Sequence, residues 1–94
     1  MGTFWKNKRI LITGVCGTVG TELLKILASG KEYNSVEIIG IDNRESDLFF
    51  MDQKYLNDDS VRFYLTDIRD SAKINRIMKS IDIVFHAAAL KHVI

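Results

Sequence analysis

At 94 residues, with 47% apolar and 27% charged residues and no proline, the chain has room for one small soluble domain and no more. Thirteen Lys and Arg against twelve Asp and Glu leave a formal charge of +1, which excludes the strongly basic field that gathers nucleic acid or an anionic membrane surface. Its longest uncharged apolar runs, 10–19 and 83–90, fall far short of the roughly 20 residues that cross a bilayer, which excludes a membrane span.

The first element is the apolar run Arg9 to Thr13, stopped at once by Gly14, which reads as a fully buried parallel strand. From Thr18 to Ser29, Val19, Leu23, Ile26 and Leu27 recur at helical spacing while Glu22 and Lys25 take the other side, so an amphipathic helix closed by Gly30 is expected. Val36 to Asp42 is β-branched and ends in the turn pair Asp42-Asn43: a second strand. Between Glu45 and Leu56 the residues Leu48, Met51 and Tyr55 share a helical face, and Phe49, Phe50 and Tyr55 are read as helix-to-sheet packing. Val61 to Thr66 alternates as a strand exposed on one face, near the sheet edge. Asp70 and Ser71 open a helix whose buried stripe is Ile74, Ile77 and Met78, and Ile81 to His86 is the last strand.

Strands and helices therefore alternate, β-α-β-α-β-α-β. This pattern builds a parallel sheet with right-handed crossovers and helices on both faces. The fold class is α/β: a Rossmann-type doubly wound sheet with strands in the order 3-2-1-4. The sequence stops at Val93-Ile94, where a further helix is expected, so the sheet reads as incomplete at its C-terminal side.

Between the first strand and first helix, Thr13-Gly14-Val15-Cys16-Gly17-Thr18-Val19-Gly20 places glycines at i, i+3 and i+6. Gly14 suits a tight turn, Gly17 lets backbone approach a diphosphate, and Gly20 lets the helix pack closely on the sheet. The helix N-terminus offers unpaired N–H groups and partial positive charge to phosphates. Asp42 ends the second strand about 20 residues beyond the last glycine, as a dinucleotide-binding unit requires. No Gly-Lys-Ser or Gly-Lys-Thr follows, which excludes a Walker A loop.

The Thr-Gly-x-x-Gly-x-x-Gly loop at Thr13 to Gly20 resembles that of the extended short-chain dehydrogenase/reductase superfamily. Gly40-Ile41-Asp42-Asn43, Tyr64 to Asp70 and Val84 to Val93 narrow the resemblance to the CapD-like polysaccharide biosynthesis proteins, nucleotide-sugar 4,6-dehydratases and epimerases acting on UDP-N-acetylglucosamine and its relatives. The match runs over nearly the whole chain, and Ala87-Ala88-Ala89-Leu90-Lys91-His92 is its most family-specific segment.

The resemblance implies an NAD or NADP site made by Thr13, Gly14, Gly17, Thr18, Val19 and Gly20, by Asp42, Asn43 and Arg44, by Asp67 and Ile68, and by Ala87, Ala88, Ala89 and Lys91. Asp42 would accept from the adenosine ribose hydroxyls and repel a 2′-phosphate, whereas Arg44 would attract one, so NAD and NADP both stand. Asp67 and Ile68 would line the adenine; alternatively Asp67 only turns the chain toward the next helix. The three alanines would leave room for the nicotinamide ribose and the diphosphate, or pack tightly with nothing bound. Lys91 would reach phosphates or stand in solvent. His86 and His92 have no acidic or cysteine partner in register for a metal and read as packed or exposed rings.

By resemblance, catalysis needs Tyr-x-x-x-Lys, but four residues beyond Tyr33, Tyr55 and Tyr64 stand Glu37, Asp59 and Ile68. No catalytic or metal residue is therefore assigned. The chain reads as the N-terminal part of an NAD(P)-binding domain, with catalytic and sugar-binding parts elsewhere and a nucleotide-sugar as substrate of the whole protein. The alternative is a non-catalytic dinucleotide-sensing module. The lone Cys16 and the absence of a secretory pattern in Met1 to Lys6 point to the cytoplasm, and an uncovered sheet edge points to self-association.

Overall fold

A computed structural model describes residues 7–29 and 37–87; expectations placed on Gly30, Val36, Ala88, Ala89, Lys91 and His92 lie outside the described residues. Seven elements follow one another: β1 (Arg9–Thr13), α1 (Thr18–Ser29), β2 (Glu37–Asp42), α2 (Glu45–Lys54), β3 (Val61–Leu65), α3 (Ser71–Met78) and β4 (Ile83–His86). The strands form one parallel sheet in the order β3-β2-β1-β4, the expected doubly wound arrangement.

The central strands are apolar between their end residues because both of their faces are covered. On one face Ile10, Ile12 and Ile38 meet Leu24 and Leu27 of α1 and Leu48 and Met51 of α2. On the other, Leu11, Ile39 and Ile41 meet Ile74 and Ile77 of α3, with Ile81 beside them. The crossover from β3 to β4 thus changes face, which places β1 and β4 on either side of a topological switch.

Four details differ from the sequence-based expectation. Val19 and Ile26 do not face the sheet; they are 47% and 46% exposed, and Gly20, Leu24 and Leu27 are buried in their place. The rotation of α1 is set by Gly20, where a Cβ would collide with the Gly14 carbonyl oxygen and lie 2.7 Å from the Val15 Cα. Only a residue without a side chain lets the helix rest on that backbone, and the side of α1 carrying Gly20 becomes the inner one. Phe49 and Phe50 are likewise exposed, stacked edge to face with centroids 5.6 Å apart. Adjacent residues on a helix point about 100° apart, so Leu48 and Met51 take the sheet and the two rings are turned outward. Tyr55 does pack inward, with its ring centroid 6.1 Å from that of Phe63. Third, Met78 stands exposed while Ile74 and Ile77 are half-buried, because among the described residues the short α3 is the one helix on that face of the sheet. The fourth difference is at β4, which begins at Ile83 and not at Ile81, and whose burial alternates along Ile83–His86.

At the amino end of the sheet the strands are tied together by charge. Arg9 Nε and Nη2 donate to Glu37 Oε1 at 2.9 and 2.6 Å, and Arg62 Nε lies 2.8 Å from Glu37 Oε2. Asp82 accepts from the Arg9 N–H at 2.8 Å and returns its own N–H to the Arg9 carbonyl at 2.8 Å.

Candidate functional site

The parallel register brings Thr13, Ile41, Asp42, Leu65 and His86 to the carboxyl edge of the sheet, where ligands bind in open α/β folds. The glycine loop sits there. Gly14 takes φ 68°, a left-handed conformation that turns the chain off β1 at no steric cost only because the residue lacks a Cβ. The Ile41 carbonyl then accepts the Gly14 and Val15 N–H groups at 2.9 and 3.2 Å, binding the loop to the end of β2. Val15 is fully buried over Gly40, where a Cβ would come within 2.9 Å of its side chain. Thr21 Oγ1 donates back to the Val15 carbonyl at 3.0 Å, and the Gly17 carbonyl accepts the Thr21 N–H at 2.9 Å. The loop is thus held from both sides, and the first N–H groups of α1, from Thr18 onward, have no partner within the helix.

Asp42 is 5% exposed, and both of its carboxylate oxygens are used. Oδ2 accepts the Cys16 N–H at 3.0 Å and Oδ1 accepts the Arg44 N–H at 3.1 Å. Each carboxylate oxygen has a second lone-pair direction, so the group retains capacity for two vicinal hydroxyls. Among the described residues no cationic side chain meets it. Arg44 turns its guanidinium to Asp47, with Nη2 2.5 Å from Oδ2, and Asn43 stands exposed beside it.

Cys16 lies against this carboxylate. Burial first, then the negative charges of Asp42 and Asp47, push its thiol up to about 11, so at neutral pH it is an uncharged group that does not oppose an incoming diphosphate.

Farther along the edge, Thr66 gives its N–H to the Asp42 carbonyl at 2.9 Å, while its buried Oγ1 has no partner among the described residues. A buried hydroxyl without a partner next to Asp42 suits a bound polar group or an ordered water. Asp67 follows, with its carboxylate occupied by Arg69: Oδ1 accepts the Arg69 N–H at 2.9 Å and Nε–H at 3.0 Å, and Oδ2 lies 2.8 Å from Nη2. Those bonds hold the Asp67 carboxyl at about 2. The chain turns at Asp67 toward α3, whose cap is Asp70, its Oδ1 accepting the Lys73 N–H at 3.2 Å. Ile68 is 47% exposed, and Ala87 is buried beyond β4 against the core.

One contact was not foreseen from composition. Thr13 Oγ1 and His86 Nδ1 are 2.7 Å apart, joining β1 to β4 at the switch. The cue available in the sequence is the place of each residue as the last of its strand. Among the described residues no group of three or more His, Cys, Asp or Glu side chains is placed to hold a metal ion.

A glycine turn locked to β2, a helix start behind it and a carboxylate one strand away fit the pyrophosphate and adenosine ribose of a dinucleotide. Residues 10–94 match the family described as polysaccharide biosynthesis protein. A UDP-N-acetylglucosamine 4,6-dehydratase (inverting) of Campylobacter jejuni is 33% identical over 95% of this chain and 26% of its own length. The UDP-glucose 4-epimerase of Rickettsia bellii is 34% identical over 93% of this chain and 26% of its own length. An uncharacterized membrane protein of Methanocaldococcus jannaschii is 39% identical over 99% of this chain and 27% of its own length. The X-ray structure of Pen from Bacillus thuringiensis superposes on 88% of this chain and 24% of its own, with a TM-score of 0.77 and 28% identity. The chain spans about a quarter of the length of the curated relatives it matches. Among the described residues no helix is long and apolar enough to cross a membrane.

Proposed function

This chain belongs to the polysaccharide biosynthesis protein family, and from that premise we propose that it is the N-terminal, NAD(P)-binding portion of a nucleotide-sugar 4,6-dehydratase or epimerase that serves glycan biosynthesis. The single observation that carries the proposal is the junction of β1 and α1, where Gly14 at φ 68° and the carboxylate of Asp42 one strand away are joined by the Cys16 N–H.

Each group has a defined task in that proposal. Thr13, Gly14 and Gly17 shape the turn, and Thr18, Val19 and Gly20 present the first backbone N–H groups and the positive end of α1 to the diphosphate. Asp42 accepts from the ribose hydroxyls, with Asn43 and Arg44 at the rim. Ile68, exposed at the end of β3, covers the adenine, and the Asp67–Arg69 pair shapes the turn beside it. Ala87, small and buried, follows β4 where the nicotinamide half would pass. A nicotinamide bound there supplies a hydride acceptor and donor for the sugar ring. Sugar binding and the proton-transferring residues are assigned to other parts of the complete protein, which we place in the cytoplasm as a homo-oligomer.

Equilibrium titration of the purified protein with NAD, NADP and ADP-ribose tests the proposal. Saturable binding of a dinucleotide, competed by ADP-ribose and lost in Asp42→Ala, is expected. Absence of saturation by either dinucleotide at millimolar concentration overturns it.

A further inference from the structure

We propose that Asp47 adds to the discrimination between the two dinucleotides: by holding the Arg44 guanidinium it withholds that cation from a 2′-phosphate and so reinforces the preference for NAD over NADP that Asp42 creates. The inference rests on the dinucleotide proposal above and adds to it a residue with no direct contact to the cofactor.

Two opposed signals stand next to each other in the sequence. An acidic residue at the end of the second strand favours a free 2′-hydroxyl, and a nearby arginine accommodates a 2′-phosphate. Composition alone leaves them in balance, and the geometry breaks the tie. Arg44 is pinned through its backbone on both sides: its N–H donates to Asp42 Oδ1 at 3.1 Å, and its carbonyl accepts the Leu48 N–H at 2.9 Å. Only the side chain is free to choose an anion, and it lies along the first turn of α2 with Nη2 2.5 Å from Asp47 Oδ2. A carboxylate in that turn is itself favoured by the helix dipole, with Glu45 adding charge in the same turn. A 2′-phosphate would therefore have to take the guanidinium from Asp47 and settle next to the Asp42 carboxylate, whose oxygens hold two backbone N–H groups and, among the described residues, no cation. A ribose hydroxyl meets neither obstacle.

The Arg44 and Asp47 side chains are 48% and 46% exposed, so the pair is a solvent-screened one and its share of the selectivity is small. Like-charge repulsion from Asp42 supplies the larger share.

The test is a set of NAD and NADP titrations on the wild-type protein, Asp47→Asn, Asp47→Glu, Arg44→Ala and the Asp47→Asn/Arg44→Ala double variant. The wild-type protein binds NAD more tightly. Asp47→Asn lowers the ratio of the NADP to the NAD dissociation constant about two- to fivefold. Asp47→Glu, which keeps the charge, keeps the ratio. In the Arg44→Ala background the Asp47→Asn change leaves the ratio where Arg44→Ala alone put it. An unaltered ratio in Asp47→Asn overturns the inference, and so does an equal fall with Arg44 absent, because the carboxylate would then be acting on the phosphate directly. Failure of the wild-type protein to bind either dinucleotide overturns the underlying functional proposal and is seen before any variant is compared.

Discussion

The two ends of the sheet each hold a carboxylate at the terminus of β2, half-buried at Glu37 and buried at Asp42, and they treat it in opposite ways. At the amino end Glu37 is neutralised by two guanidinium groups, Arg9 and Arg62, reaching across from the neighbouring strands. At the carboxyl end Asp42 is met by two backbone N–H groups and, among the described residues, by no cationic side chain. Side-chain ion pairs complete themselves and leave little for a ligand to add. Amide donors hold a carboxylate in place without neutralising it, so the carboxyl end is organised yet still able to bind. The same strand thus begins with a staple and ends in a carboxylate left open to further donors.

The largest effect that would break or sharpen this contrast is expected from Asp42→Ala. It strands the Cys16 and Arg44 N–H groups beside a buried site, and loss of hydrogen bonds to a charged group should lower unfolding free energy by about 3 kcal/mol, read from urea denaturation. That loss should be nearly independent of salt, because its origin is buried. Glu37→Gln should cost about 1 kcal/mol, since the amide still accepts from Arg9 and the arginines are partly solvated, and the difference from wild type should shrink in high salt. If Glu37→Gln proved as costly as Asp42→Ala, the proposed division between the two ends would be wrong.

The smallest effect belongs to Asp67. Its bonds to Arg69 lower its carboxyl from 3.8 to about 2 in the folded chain. A depressed carboxyl contributes stability that is fully present above pH 3.8 and is lost as pH falls through about 2. Arg69→Ala should return the Asp67 titration, followed by carboxyl NMR, toward 3.8. The pair lies at the surface with the Arg69 side chain almost wholly in solvent, so little change in global stability is expected.

The strands, their order and the glycine junction were legible in the sequence because each is announced locally. Continuous β-branched runs mark strands covered on both faces, and Gly14 and Asp42 sit at strand ends where their chemistry is required. The facing of α1 was not legible: apolar residues occur on more than one side of it, and the deciding fact is the absence of a side chain at Gly20 against the Gly14 backbone. Phe49 and Phe50 misled for a related reason, since large rings suggest burial but two neighbours on a helix cannot share the face that Leu48 and Met51 already occupy. The grip of Asp47 on Arg44 depends on which of several rotamers an arginine takes, and no spacing rule selects among them. The Thr13–His86 contact joins residues 73 positions apart and exists only once β1 and β4 are in register.

That last contact has a consequence for how the two halves of the sheet are joined. A hydroxyl can donate to an imidazole nitrogen or accept from its N–H, so the tie is open to either ring tautomer. A side-chain bond thereby reinforces the backbone ladder between β1 and β4, and the seam at the carboxyl edge is held by more than strand pairing alone.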